Sequence, residues 1–204
     1  MTGHITIDLF TTLDGVAQAP GAPEEDPAGG FPFGGWQAPF HDALIGDRIQ
    51  AGIAAMDALV LGRRTYDIFA GYWPEHEDTA IGAHFAEIPK YVASRRGVDL
   101  GWAGTTLLRG DAPTAVAALR ERHDDIHVIG SIDFVQSLLA AQCFDELKLW
   151  VHPLVLGRGK KVFPDGVAPT TLRLLAPPES GGTVVELRYA PAGPVVTGEM
   201  APEG

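Results

Sequence analysis

The middle of the chain alternates short apolar runs with helix-patterned segments, and no other feature of the sequence restricts the fold as much. Residues 58–61, 91–93, 106–108, 126–129 and 147–151 read as short buried strands. Helical patterns lie among them. One covers residues 65–69, and one opens at Asp111 and Pro113 and runs to about Arg122. A third takes its apolar face from Phe134, Val135, Leu138 and Leu139. Strands separated by helices pair in parallel within one sheet. Ahead of this region, residues 4–10 alternate apolar and polar, which reads as a strand. Ile45, Ile49, Ile53 and Met56 then step by four, four and three, which predicts an amphipathic helix over about 41–55. Two β segments at 171–175 and 184–189 follow with no helix between them, so the sheet gains an antiparallel edge. The expected fold class is α/β, with a mixed, mostly parallel sheet.

The 204 residues suit one domain. We expect it to span 1–190, with a polar, Pro/Gly-rich tail at 191–204. With 46% hydrophobic and 20% charged residues, the chain is no disordered segment. Its 25 glycines and 16 prolines call for many turns and long loops. A net charge of −11 argues against nucleic acid and anionic membrane as partners, because both select a basic footprint. The single cysteine, Cys143, can form neither an internal disulfide nor a zinc site by itself. No basic-then-apolar leader and no 18-residue apolar run occurs, so the expectation is a cytoplasmic protein.

Three strands end alike. One runs into Gly62-Arg63-Arg64-Thr65, one into Ser94-Arg95-Arg96, and one into Gly130-Ser131. In open α/β sheets ligands sit beyond the carboxyl ends of the strands, and a helix start there favours an anion. Arginine adds a planar fork that matches phosphate oxygens. Four of the 11 arginines stand in these two pairs, which points to a ligand with several phosphates. The plainer alternative is that they pair with surface carboxylates. No Gly-x-Gly-x-x-Gly follows a strand, and no P-loop motif occurs. His123 and His127 are four apart but straddle a helix-to-strand junction, so no metal site is expected. Residues 157–161, Gly-Arg-Gly-Lys-Lys, read as a turn rather than a phosphate loop. Asp14 either caps a turn or points into a cleft. The long loop at 15–40 carries Phe31, Phe33, Trp36 and Phe40, which form either an apolar wall for a planar ring or ordinary core.

Several segments together carry a resemblance. Residues 12–16 (Thr-Leu-Asp-Gly-Val), 61–66 (Leu-Gly-Arg-Arg-Thr-Tyr), 89–95 (Pro-Lys-Tyr-Val-Ala-Ser-Arg), Gly130-Ser131, 145–147 (Asp-Glu-Leu) and 153–160 (Pro-Leu-Val-Leu-Gly-Arg-Gly-Lys) occur in this order. The series resembles the dihydrofolate reductase-like proteins related to the reductase domain of the bifunctional riboflavin-biosynthesis deaminase/reductase. The likeness covers about residues 4–190. It implies a three-layer fold with about eight strands, a homodimer, and NADPH lying across the strand ends. Gly62, Arg63, Arg64 and Thr65 would hold the pyrophosphate region. Ser94 and Arg95 would meet the 2′-phosphate, and Arg96 beside them is a further cofactor-binding candidate. Gly130, Ser131 and Ile132 would cradle the phosphates at the next helix start. The resemblance also points Asp14 at the substrate. His41 stands where the folate enzymes carry their carboxylate, with Asp42 one residue beyond.

The resulting expectation is an NADPH-dependent reductase of a small heterocyclic or carbonyl substrate. Asp14 and His41 are the catalytic candidates, and Trp36 and Phe40 the substrate-binding ones. Reduction of a riboflavin-pathway ribosylaminopyrimidine phosphate is an alternative. It needs cations for the ribose phosphate, and no Lys or Arg occurs between Thr2 and Ile45. A non-catalytic nucleotide-binding or regulatory protein is a further alternative, and a partner-binding role is the last.

Overall fold

The first strand, β1 (His4–Thr12), is the axis of the molecule. The computed structural model describes residues 2–40 and 42–200. In it, β1 leads through the long loop to α1 (Ala43–Ala55) and β2 (Ala58–Gly62). Next come α2 (Arg63–Tyr72), α3 (Ala80–Glu87), β3 (Lys90–Ala93), β4 (Thr105–Leu108) and α4 (Ala112–Ala118). The chain continues through β5 (Asp125–Val128), α5 (Ile132–Ala140) and β6 (Glu146–His152). It closes with β7 (Leu172–Leu174), β8 (Glu179–Ser180) and β9 (Val185–Pro191). The sheet order is β4-β3-β2-β5-β1-β6-β9-β7, with β8 also paired to β9. β1 to β6 are mutually parallel, and β7, β8 and β9 supply the antiparallel edge.

The expected α/β class and mixed sheet are the ones observed. The chain also adds α3 and the two-residue β8. Gly82 lies inside α3 and blurs its pattern. It is there because a Cβ would stand 2.0 Å from the His76 carbonyl oxygen. The helix expected to run to Arg122 stops at Ala118 and tightens into a 3-10 turn at Leu119–Glu121. After β9 the chain stays tied to residues 170–171: Thr171 donates through Oγ1 to the Pro194 carbonyl at 2.9 Å.

β2 is buried along its whole length because both sheet faces are covered. On one face Ile5, Ile7, Val60, Ile126, Val128 and Leu147 pack under α4 and α5, against Val116, Leu119, Val135 and Leu138. On the other, Leu59, Leu61 and Val92 meet Tyr66, Phe85 and Trp102. Beneath α1 that second face turns polar. Glu146 is gripped by Arg188 at 2.6 and 2.8 Å, and Lys148 stands 3.4 Å from Asp8. Accordingly Ile45 is the one fully buried residue of α1. Lys90, wholly buried, donates to the carbonyls of Phe85 and Ile88 and so satisfies the end of α3.

Candidate functional site

The site exists because two neighbouring strands differ in length. β5 ends at Val128, opposite Ile7 of β1. β1 continues to Thr12, paired on its other side with β6 as far as His152. The edge of β1 beyond Ile7 is therefore left open. Helical connections depart to opposite sides of the sheet there, and such a switch point is where α/β sheets take ligands. A cavity of about 580 Å³ fills the gap.

Four segments wall it. Asp8, Leu9 and Phe10 come from β1, and residues 17–22 and 24–26 from the long loop. Ile68, Phe69 and Tyr72 come from α2, with Trp73 just after it. Ile129 to Ile132 close the side at the β5 end. The loop is held by Gln18, which is buried. Its Nε2 donates to the carbonyls of Asp26 and Ala28, and its Oε1 accepts from the Lys160 N–H at 2.9 Å. Glu25 Oε2 accepts from the N–H groups of Gly21 and Ala22, at 2.6 and 3.1 Å.

A second cavity of about 710 Å³ continues from the first, sharing Arg64, Ser131 and Lys160 with it. It is lined by Arg63, Arg64, Arg95 and Arg96, with Ser94, Gly110 and two carboxylates, Asp111 and Asp133. α2 and α5 both start on this groove, and neither has a side-chain cap. By contrast α1, α3 and α4 are capped by Asp42, Thr79 and Asp111. At such starts the first N–H groups and the positive end of the dipole are turned toward the groove, except the Thr65 N–H, which Ser131 Oγ takes.

The ends of β2 and β5 are locked together. Gly62 N–H donates to the Gly130 carbonyl at 2.7 Å, and Thr65 donates through its backbone N–H and its hydroxyl to Ser131 Oγ. Only glycine fits at 62, since a Cβ would lie 2.7 Å from Ser131 N and 2.8 Å from its hydroxyl. Gly130 has a φ of +134°, and a Cβ there would meet Thr65 Oγ1 at 2.8 Å.

All the cofactor candidates read from the strand ends line one cavity or both: Gly62, Arg63, Arg64, Thr65, Ser94, Arg95, Arg96, Gly130, Ser131 and Ile132. Their states differ. Arg95 and Arg96 are exposed, and Ser94 is bonded to the backbone of Arg96. Arg63 pairs with Asp67 one turn on, at 3.3 Å. Arg64 is ion-paired to Asp26, which also takes Lys160 at 2.9 Å.

The substrate-side candidates lie outside these two cavities. Asp14 lines neither cavity. Its carboxylate accepts from Thr12 Oγ1 at 2.6 Å and from the N–H groups of Gly157 and Leu156 at 2.8 and 3.2 Å. Burial pushes its pKa up, but these hydrogen bonds outweigh that and hold it below the ordinary carboxylate value. Asp14 is thus a charged anchor for the 153–160 turn. Trp36 and Phe40 also stay out of both cavities. With Phe10 they pack edge-on around His152, at ring distances of 5.1, 5.7 and 5.9 Å. Trp36 Nε1 is spent on the Gln18 carbonyl at 2.8 Å. Asp42 serves as the cap of α1 and accepts from the N–H groups of Thr183 and Val184. His41 lies outside the described residues.

Sequence reasoning missed the cavity's own wall and its acids. Phe69, Tyr72 and Trp73, at i, i+3 and i+4, follow a strand end carrying an arginine pair, and that juxtaposition was the available signal. Glu25 and Asp26 lie in a run that reads as a solvated loop. Burial raises the Glu25 pKa, against the two N–H groups of Gly21 and Ala22 that lower it. Residues 157–161 do form a turn, with the Lys160 carbonyl accepting from Ala17 N–H at 2.9 Å, yet Lys160 itself reaches the cavities.

With this geometry in hand, comparison with known proteins is informative. The model of the RibD C-terminal domain matches residues 3–184. The chain belongs to the RibD C-terminal domain family. Among curated proteins it is similar to the uncharacterised YyaP of Bacillus subtilis (strain 168), 23% identical over 138 residues, covering 66% of this chain and 73% of that one. Among solved structures it is similar to the Thermotoga maritima diaminohydroxyphosphoribosylaminopyrimidine deaminase/5-amino-6-(5-phosphoribosylamino)uracil reductase, at 14% identity and a TM-score of 0.62. That match covers 94% of this chain and 57% of the Thermotoga one. It is similar too to dihydrofolate reductase from Enterococcus faecalis complexed with NADP(H), at 15% identity and a TM-score of 0.57, covering 94% and 98% of the two chains. The RibD C-terminal domain fold is thus the dihydrofolate reductase-like fold, and its family associates the chain with reductases.

Proposed function

We propose that the chain is an NADPH-dependent reductase of a small heterocyclic or carbonyl substrate. The observation that carries this is the junction of two unlike cavities at one switch point. The groove has the donor set a dinucleotide phosphate chain requires: two uncapped helix starts and four arginines. The E. faecalis enzyme of the same fold is described with NADP(H). In our reading the N–H groups at the starts of α2 and α5, with Arg63 and Arg64, hold the diphosphate. Ser94, Arg95 and Arg96 take the 2′-phosphate, the one feature that separates NADPH from NADH. When bound, the cofactor supplies a hydride, which together with one proton saturates a C=N or C=O bond, leaving NADP⁺.

The protein's part is to orient the partners and exclude water. Phe69, Tyr72 and Trp73 offer ring faces and edges to a planar substrate. We assign the proton-holding role to Glu25, which lines the cavity and which burial keeps protonated to higher pH than an ordinary glutamate. Asp14, held as a carboxylate, is unsuited to it. His41 keeps its candidacy on sequence alone. The reading includes a cytoplasmic homodimer with no nucleic-acid partner; among the described residues no helix is long and apolar enough to cross a membrane.

The experiment is a screen of NADPH oxidation over small heterocycles and carbonyl compounds, with deuterium at the reactive nicotinamide carbon. Label appearing in a product is the expected result. NADPH that binds but transfers no label to any compound would instead favour a nucleotide-binding, non-catalytic protein. For an active substrate, Glu25→Gln should lower turnover about tenfold and remove the loss of rate as pH rises through the raised Glu25 pKa. An unaltered profile would clear Glu25 of the role.

A further inference from the structure

We infer that the apolar cavity takes a planar, amino-bearing heterocycle that is uncharged or positively charged, and that it rejects a phosphorylated one. The inference rests on the reductase reading for its assignment of the two cavities: cofactor in the groove, substrate beyond the junction.

A phosphate ester carries a charge between −1 and −2 at neutral pH and is held by cations or converging N–H groups left free for it. The substrate cavity has neither to spare. Among its described lining residues the cations are Arg64 and Lys160. Both stand at the junction and line the cofactor groove as well, where the reductase reading already commits Arg64 to the diphosphate. Both are paired to Asp26, whose side chain is only 9% exposed. The loop's converging N–H pair, Gly21 and Ala22, is already occupied by an oxygen of Glu25. The chain fills its own N–H nest with its own carboxyl oxygen.

The remaining charges have the opposite sign. Asp8 and Glu24 line the cavity as well. Asp8 is fastened by Trp150 Nε1 at 2.6 Å and stands 3.4 Å from Lys148, a lysine that does not line the cavity. Glu24 is exposed. Carboxylates around an apolar cavity repel an anion, since charges there are screened less than in water. They accept hydrogen bonds from ring amines. Aromatic walls with acidic rims thus select a flat ring rich in N–H donors, neutral or cationic. This separates the chain from the Thermotoga maritima relative, whose name specifies a phosphoribosylamino compound.

The test uses 5-amino-6-(5-phosphoribosylamino)uracil, for which the Thermotoga enzyme is named, and the same compound after phosphatase treatment. Both are titrated by calorimetry into full-length protein, wild type and Glu24→Lys, saturated with NADPH. The wild type should bind the dephosphorylated compound at least tenfold more tightly. Glu24→Lys should narrow that ratio several-fold at unchanged melting temperature. Equal or tighter binding of the phosphorylated compound by the wild type overturns the inference. So does failure of the wild type to bind either compound, or a ratio that Glu24→Lys does not move. Absence of NADPH binding is a separate result: it sinks the reductase reading, while a surviving preference for the dephosphorylated compound leaves the cavity's selectivity standing.

Discussion

The two cavities meet at Arg64, Ser131 and Lys160 and are built on opposite principles. The groove is made of strand ends and helix starts. Its cations are short-range neighbours in sequence, and Arg95 and Arg96 are exposed. The apolar cavity is made of a strand edge, a long loop and a helix flank. Its two cations share one carboxylate, Asp26. In the proposed reading the groove takes the cofactor common to many reductases, and the loop-walled cavity is where substrates differ. The contrast also separates what is anchored by backbone geometry, at Gly62 and Gly130, from what is anchored by side chains, at Gln18, Glu25 and Asp26.

The largest effect should come from closing the groove at its base. Gly62→Ala drives a methyl group into Ser131 and Phe134, which lie within 3.0 Å of the new carbon. Overpacking of this kind costs about 1–3 kcal/mol, and the shifted helix start should weaken NADPH about 100-fold. Thermal melts and a cofactor titration measure both. A variant that melts and binds like the parent would mean that the two strand ends do not approach so closely.

Arg95→Ala sharpens the contrast without disturbing the fold, since Arg95 is exposed. Loss of a charge-assisted phosphate contact should weaken NADPH about tenfold or more and leave NADH nearly unchanged. Equal losses for both cofactors would take the 2′-phosphate away from Arg95.

His152 tests the aromatic cluster behind the cavity. Burial holds its pKa below the ordinary imidazole value of 6.5, partly offset by its backbone hydrogen bonds at Trp150 and Thr11. The unfolded chain therefore binds a proton at pH values where the folded one does not. Stability is fully present above the unfolded pKa and drops as pH falls below it, by up to about 1.4 kcal/mol per pH unit. Urea denaturation at pH 7.5 and 5.5 should show the fall, and His152→Leu should flatten it. A slope that persists in His152→Leu would assign it to other groups.

Asp14→Asn should have the smallest effect. It weakens charge-assisted bonds to Thr12, Gly157 and Leu156, costing about 1 kcal/mol in urea denaturation. Cofactor affinity should stay within about twofold, because Asp14 lines neither cavity. Turnover lost at full stability would restore Asp14 as a catalytic group.

The groove was legible in the sequence because its parts are local: a strand, one to four special residues, then a helix. Arg63 and Arg64 announce themselves beside Gly62 without any knowledge of the fold. The sheet was legible for the same reason, through strands of alternating or apolar pattern. The cavity was not, because its wall is assembled from β1, a loop, α2 and residue 160, which only the fold brings together. Trp36 and Phe40 stayed open because an aromatic residue in a loop has the same signature whether it faces a ligand or, as here, packs on His152. Asp14 stayed open because a turn anchor and a cleft acid occupy the same place in sequence; its three hydrogen bonds supply the anchor's geometry. The pairing of Arg64 with Asp26, 38 residues apart, was likewise invisible.

The account stands or falls on the cofactor groove. Titration of the full-length protein with NADPH and with NADH, followed by nicotinamide fluorescence at fixed salt, tests it most directly. Saturable NADPH binding at least tenfold tighter than NADH, with the difference lost in Arg95→Ala, is the predicted result. Failure to bind either cofactor would contradict the account and leave only the fold.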